Sequence, residues 1–172
     1  TLYKTLLNKY ILHGGEILFD HKLSNLYINK PELHFSNNAI YKVKHIAACD
    51  GINSLCRNEV LSSGNPVYSG YSVWRSIVDK TQDDIKTLLG PNYHIVTYPI
   101  SSSKVSFVAA IKTSNEYIES WKMPGTLDEL KADIPKSANE FFPFLDERSI
   151  LYKWGVYTRP SLNKLCFDNL TL

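Results

Sequence analysis

An aspartate, a glycine, a serine and an arginine fall close together in the stretch Ile46-Ala-Ala-Cys-Asp50-Gly51-Ile-Asn-Ser54-Leu-Cys-Arg57. A carboxylate accepts hydrogen bonds from sugar hydroxyls, and a guanidinium grips phosphate through parallel N–H donors. A glycine after the aspartate lets a second backbone or a ligand approach closely. Ser54 and Arg57 are three apart, so on a helical turn they share a face. This set suits a ligand with hydroxyl and phosphate groups. The same spacing also describes a β-turn that runs into a capped helix with a surface arginine, and spacing alone leaves both open.

Other residues are candidates for a ligand pocket. Arg75 follows Trp74 inside an apolar strand, where a cation needs a partner, supplied either by a ligand or by a structural ion pair. Tyr98 and Pro99 are positioned to line a substrate pocket or to sit in the core. The histidines show no metal-ligand spacing and no metal site is expected; His45, in an apolar run, reads as a core histidine. Cys49 reads as an inert thiol packed at a strand end. The cysteines (Cys49, Cys56, Cys166) include no CxxC pair, which argues against a disulfide framework and for a reducing, cytoplasmic setting. There is no GxSxG elbow, so a serine-hydrolase reading fails. The glycines at 14, 15, 51, 64, 70, 90, 125 and 155 are never two apart, which excludes a GxGxxG loop and a P-loop within this chain.

The elements that must position these residues follow from periodicity. Leu2, Leu6, Leu7 and Tyr10 predict a helix stopped by Gly14-Gly15. A strand is expected over Glu16–Phe19, then strands over Asn25–Asn29, Glu32–Ser36 and Ala39–Ala48, with a hairpin turn at Asn37-Asn38. Val67–Val78 reads as a long strand. Thr81–Leu88 is expected to be a helix ending at Gly90-Pro91. Tyr93–Ile100 and Lys104–Ile111 predict a hairpin around Ser101–Ser103. Thr126 with Glu129 forms a capping-box pattern for a helix over Thr126–Asp133. A second helix is expected over Ser137–Leu145, interrupted by Pro143, and strands over Ser149–Tyr157 and Leu165–Leu172. The pattern is α+β rather than a strict βαβ alternation.

Composition narrows the class. The chain has 172 residues, 19 Lys+Arg against 17 Asp+Glu and a net charge of +2. That balance argues against nucleic acid as a partner. Hydrophobic residues at 44% and charged residues at 21% describe an ordinary folded protein, not a disordered one. No apolar run approaches the ~18 residues of a transmembrane helix.

The Asp50-Gly51-x-x-Ser54-x-x-Arg57 segment resembles the Asp-Gly motif of flavin-dependent aromatic monooxygenases, with Ala48 and Cys49 where that family commonly has Gly and Ala. Tyr68-Ser-Gly70-Tyr-Ser-Val-Trp74-Arg75 is similar to the strand that follows in the salicylate-hydroxylase-like branch. Leu89-Gly90-Pro91, Tyr98-Pro99-Ile100, Ser120-Trp121, Pro124-Gly125, Glu129-Leu130 and Tyr157-Thr-Arg159-Pro160 continue the likeness in order.

The resemblance implies part of a FAD-binding α/β domain over 1–66, a mostly antiparallel substrate sheet with flanking helices over 67–160, and a return strand over 161–172. It implies FAD near Asp50, Gly51, Ser54 and Arg57, NAD(P)H as reductant, and a small phenolic substrate hydroxylated with O2 near Arg75, Tyr98 and Pro99. It also implies that a glycine-rich loop precedes Thr1 and a Gly-Asp motif follows Leu172. The chain is then an internal fragment and is not expected to retain FAD alone. A ubiquinone-biosynthesis-type hydroxylase shares the Asp-Gly motif and is the alternative subclass. A non-catalytic module that keeps the sheet is the alternative of another kind.

Overall fold

The computed structural model describes residues 2–61, 64–118, 120, 122–136, 138 and 144–172. Trp121, Pro143 and most of the expected Ser137–Leu145 helix lie outside the described residues. The chain divides into two units, Thr1–Gly64 with Pro160–Leu172, and Asn65–Arg159.

In the first unit, helix α1 spans Leu2–Leu12, and it buries none of its residues. It closes as the glycines predict: Gly14 adopts φ +81° and the Gly15 N–H donates to the Tyr10 carbonyl at 2.9 Å. The strand expected over Glu16–Phe19 does not form. Ile17, Leu18 and Phe19 are exposed, and among the described residues no strand pairs with this segment.

Strands β1 (Leu23–Tyr27), β2 (Glu32–Phe35) and β3 (Ile40–Lys42) make an antiparallel meander. The turn between the last two uses Asn38 at φ +67° and the Asn37 carboxamide, which accepts from the Ala39 N–H at 3.0 Å. The single strand expected over Ala39–Ala48 is split instead. After β3 the Val43 N–H turns to the Pro31 carbonyl, and pairing resumes only in β4 (Ile46–Ala47). Helix α2 (Leu55–Val60) follows and buries Cys56. Leu26, Ile46, Cys56 and Leu170 form this unit's small core.

The second unit is built on β5 (Val67–Val78), β6 (Lys86–Gly90), β7 (Tyr93–Ser101), β8 (Lys104–Lys112), β9 (Pro124–Gly125), helix α3 (Leu127–Asp133) and β10 (Leu151–Thr158). Its sheet has the order β6-β7-β8-β5-β10-β9 with every pairing antiparallel. The helix expected over Thr81–Leu88 is the edge strand β6. Gln82 is tied to β7 through the Thr97 hydroxyl and carbonyl, and Asn92 at φ +67° makes the Gly90-Pro91-Asn92 link a tight hairpin. Strand alternation sends Trp74, Ile95, Phe107, Ala109, Ile111 and Leu151 to one face, where Leu130 of α3 and Ile134 cover them. Thr126 caps α3 with the full capping box.

The chain then returns to the first unit. The expected Leu165–Leu172 strand is a hairpin of β11 (Cys166–Phe167) and β12 (Leu170–Thr171), because Asp168 at φ +45° reverses the backbone. β12 lies parallel to β4. No described helix is long and apolar enough to cross a membrane.

Candidate functional site

Asp50 stands on the loop between β4 and α2. Gly51 takes φ +75°, a backbone region that favours glycine, and a Cβ there would meet nothing within 4 Å. The reversal brings Asp50 and Ser54 to the start of α2. The Asp50 Oδ2 accepts from the Cys56 N–H at 3.1 Å, and the Ser54 Oγ accepts from the Arg57 N–H at 2.9 Å. Two of the N–H groups that a helix start leaves without intrahelical partners are thereby satisfied. Burial pushes the Asp50 carboxyl towards the neutral form, but hydrogen bonds from Ser54 and the Cys56 N–H together outweigh it and hold its pKa below the ordinary value. The carboxylate is therefore charged at neutral pH.

Arg57 extends across from α2, and its Nη2 donates to the Pro160 carbonyl at 2.7 Å. Asp50, Gly51, Ser54 and Arg57 line one cleft of about 200 Å3 with Ala48, Leu162, Leu165 and Leu172. An anion, a cation, a hydroxyl and a bare backbone edge thus share one concave surface, an arrangement that can hold hydroxyl and phosphate groups. The contribution of Pro160 came from far along the chain and left no local signal at Arg57.

Two sequence expectations nearby need correction. Cys49 is exposed, since β4 ends before it; the buried thiol is Cys56, whose pKa is pushed up to about 12 by burial and by the Asp50 charge. His45 is not a core residue either. It is exposed in the bend before β4, with Nε2 2.9 Å from the Thr171 Oγ1.

In the second unit, Arg75 and Tyr98 project from the face of the sheet opposite the core. Arg75 pairs with Val108 and Tyr98 with Ser106, all outward positions. Pro99 has the other parity: it pairs with the buried Val105 and belongs to the core face, away from the other two. None of the described ion pairs involves Arg75.

A buried charge missed from sequence lies on the core face. Lys153 is 4% exposed, bonds Glu129 Oε1 at 2.5 Å, and places its ammonium 5.2 Å from the Trp74 ring centre and 4.6 Å from that of Tyr117. Its signal was positional: Leu151, Lys153 and Gly155 share the inward parity of β10. The Lys153 bond is the main reason the Glu129 carboxyl is held below its usual pKa. Among the described residues no cluster of His, Cys, Asp and Glu could hold a metal ion.

The structure is similar over 98% of the chain to a salicylate hydroxylase solved with its substrate, with TM-score 0.74 and 18% identity, covering 48% of that protein. The chain has the fold of the FAD-dependent aromatic hydroxylases. This aromatic-hydroxylase fold is shared with Klebsiella pneumoniae HpxO complexed with FAD and uric acid, at TM-score 0.71 and 16% identity over 99% of the chain and 45% of that protein. It is shared too with pqsL, a probable FAD-dependent monooxygenase from Pseudomonas aeruginosa, at TM-score 0.68 and 13% identity over 99% of the chain and 50% of that protein.

In sequence, the chain is 27% identical over 135 residues to 3-amino-4-hydroxybenzoate 2-monooxygenase of Streptomyces cremeus, covering 74% of this chain and 33% of that enzyme. It is 25% identical over 150 residues to the enzyme of the same name, PtmB3, of Streptomyces platensis, covering 81% of this chain and 37% of that enzyme. No family model matches. The chain spans about a third of the length of these curated relatives.

Proposed function

We propose that this chain forms the Asp-Gly turn and the substrate sheet of a flavin-dependent monooxygenase that hydroxylates an aromatic compound with NAD(P)H and O2. The observation that carries this reading is the agreement of two likenesses over most of the chain: sequence similarity to curated aromatic monooxygenases, and the aromatic-hydroxylase fold.

The donor set at the cleft fits part of a dinucleotide. Asp50 would accept from ribose or ribityl hydroxyls with the carboxylate already ionised, and Arg57 would face phosphate or the entering pyridine nucleotide. Ser54 holds the turn, and Gly51 leaves room for a ligand to reach the backbone. A cleft of about 200 Å3 accommodates only a portion of such a cofactor, since whole ligand pockets run to about 300–1,000 Å3. When bound, FAD supplies the redox chemistry that carries electrons from NAD(P)H to O2. This chain's own residues would orient the cofactor at the turn and present an apolar, aromatic sheet face to the ring to be hydroxylated, from which water is excluded.

The test uses protein expressed from the whole natural reading frame. NADH and NADPH oxidation should be stimulated by aromatic acids, and isotopically labelled dioxygen should leave one labelled atom in the hydroxylated product. Reductant oxidation that no aromatic compound stimulates, with no label in any product, would favour a non-catalytic ligand-binding module instead.

A further inference from the structure

Helix α3 carries two acidic residues four positions apart, Glu129 and Asp133, which therefore share the face turned to the large sheet. Glu129 is committed to Lys153 and the capping box. Asp133 meets two aromatic donors instead. Its Oδ2 accepts from the Trp74 Nε1–H at 3.2 Å and from the Tyr117 O–H at 3.3 Å. The two rings pack edge to face, with 6.4 Å between centres and 77° between planes. Trp74 is wholly buried, and Tyr117 is half-buried on the segment after β8.

Indole and phenol are the side-chain rings most readily oxidised by one electron, and each becomes strongly acidic when it is. The Lys153 ammonium lies 5.2 Å from the Trp74 ring centre and 4.6 Å from that of Tyr117. A cation at that range opposes positive charge left on either ring, so oxidation is coupled to loss of the ring's own proton. Asp133 Oδ2 is the acceptor that both protons already face. Burial, and after it the Asp133 charge, raise the Tyr117 phenol pKa, so the phenol keeps its proton until it is oxidised. A buried indole, a phenol nearer the surface and one shared proton acceptor are the parts of a relay.

We propose that Trp74, Asp133 and Tyr117 form a proton-coupled electron relay, which moves a one-electron oxidation from the buried indole to the half-buried phenol. The oxidant is an oxygen-derived radical of the hydroxyl or peroxyl class, which takes one electron from Trp74 and is reduced to the corresponding anion. The Nε1 proton passes to Asp133 Oδ2 and leaves a neutral indolyl radical. Tyr117 then gives one electron to the indolyl ring, its phenol proton moves to Oδ2, and Asp133 returns a proton to Nε1. Trp74 and Asp133 end as they began. Tyr117 is left as a neutral phenoxyl radical, which a thiol reduces by giving one hydrogen atom. The relay spares the indole at the centre of the sheet's core, and it stands or falls independently of the flavin reading.

The test uses the 172-residue chain with Trp121→Phe and Trp154→Phe, which leave Trp74 as its one tryptophan. A laser flash at the red edge of the indole band, where tyrosine does not absorb, ionises Trp74 in the presence of an electron scavenger. The indolyl absorbance should decay into phenoxyl absorbance at a rate independent of protein concentration. Tyr117→Phe should abolish that transfer, and Asp133→Asn should slow it by about tenfold or more, because the shared proton acceptor is gone. Near-ultraviolet circular dichroism certifies the fold of each variant. A second reading needs no tryptophan substitution: after the same flash, peptide mass spectrometry should find more oxidised Trp74 in Tyr117→Phe than in the natural chain. Phenoxyl formation unchanged by Tyr117→Phe, an indolyl lifetime unchanged in both variants, or equal Trp74 oxidation with and without Tyr117 would overturn the proposal.

Discussion

Replacing Glu129 by Gln should destabilise the second unit far more than replacing its partner Lys153 by Met. Glu129 divides its oxygens between two tasks. Oε2 accepts from the Thr126 N–H at 2.8 Å in the capping box, and Oε1 accepts from Lys153 at 2.5 Å. Glutamine can keep the box, so Glu129→Gln chiefly strips the counter-charge from an ammonium whose side chain is 5% exposed. Stranding one partner of a fully buried pair costs about 3–5 kcal/mol.

Glu129 is 47% exposed, so water already screens the pair, and a loss of about 2–3 kcal/mol is the appropriate scale. Lys153→Met removes the buried charge together with its desolvation cost and keeps similar volume between Trp74 and Tyr117, so it should stay within about 1 kcal/mol of wild type. The double variant should resemble Lys153→Met alone. Urea unfolding followed by tryptophan fluorescence reads this directly. With m of about 1–3 kcal/mol/M, Glu129→Gln should lower the midpoint by about 1 M. Equal losses in the two single variants, or none in Glu129→Gln, would refute the reasoning.

Three further outcomes follow from the same contacts. In the intact protein, Asp50→Asn and Arg57→Ala should each slow flavin reduction by NAD(P)H by about one to two decades, read by stopped-flow absorbance; wild-type rates in both would remove their cofactor role. Gly155→Ala should cost about 1–3 kcal/mol, because its new Cβ would collide with the Tyr117 backbone carbonyl, and an unchanged melting temperature would contradict that packing. The folded pKa values of Asp50 and Glu129 lie below their ordinary values, so the stability they add is present above pH 4.5 and lost as pH falls through the folded values. Glu129→Gln should flatten that acid limb, as urea midpoints measured across the range would record.

The large sheet was legible because Val67–Val78, Tyr93–Ile100 and Lys104–Ile111 alternate in a way only strands can satisfy, and the Thr126–Glu129 box announces α3. Lys86–Gly90 misled because Thr-Gln-Asp-Asp imitates a helix start. A ladder with β7 and the Gln82–Thr97 bonds outweighed that local propensity, and neither can be read from the segment itself. Leu165–Leu172 looked like one strand because Asp168 gives little warning of a left-handed turn.

At the candidate site, the local pattern from Asp50 to Arg57 was readable, since a turn and a helix start are set by neighbours. The Pro160 carbonyl and the Lys153–Glu129 pair depend on long-range register, so no local pattern marks them.

The most direct test of the flavin-monooxygenase reading is the cofactor content of the protein expressed from its whole natural reading frame. Its visible spectrum should carry an oxidised-flavin band, the cofactor released on denaturation should be FAD near one per chain, and Asp50→Asn should lower that occupancy. Colourless protein that takes up no FAD when incubated with an excess would contradict the account.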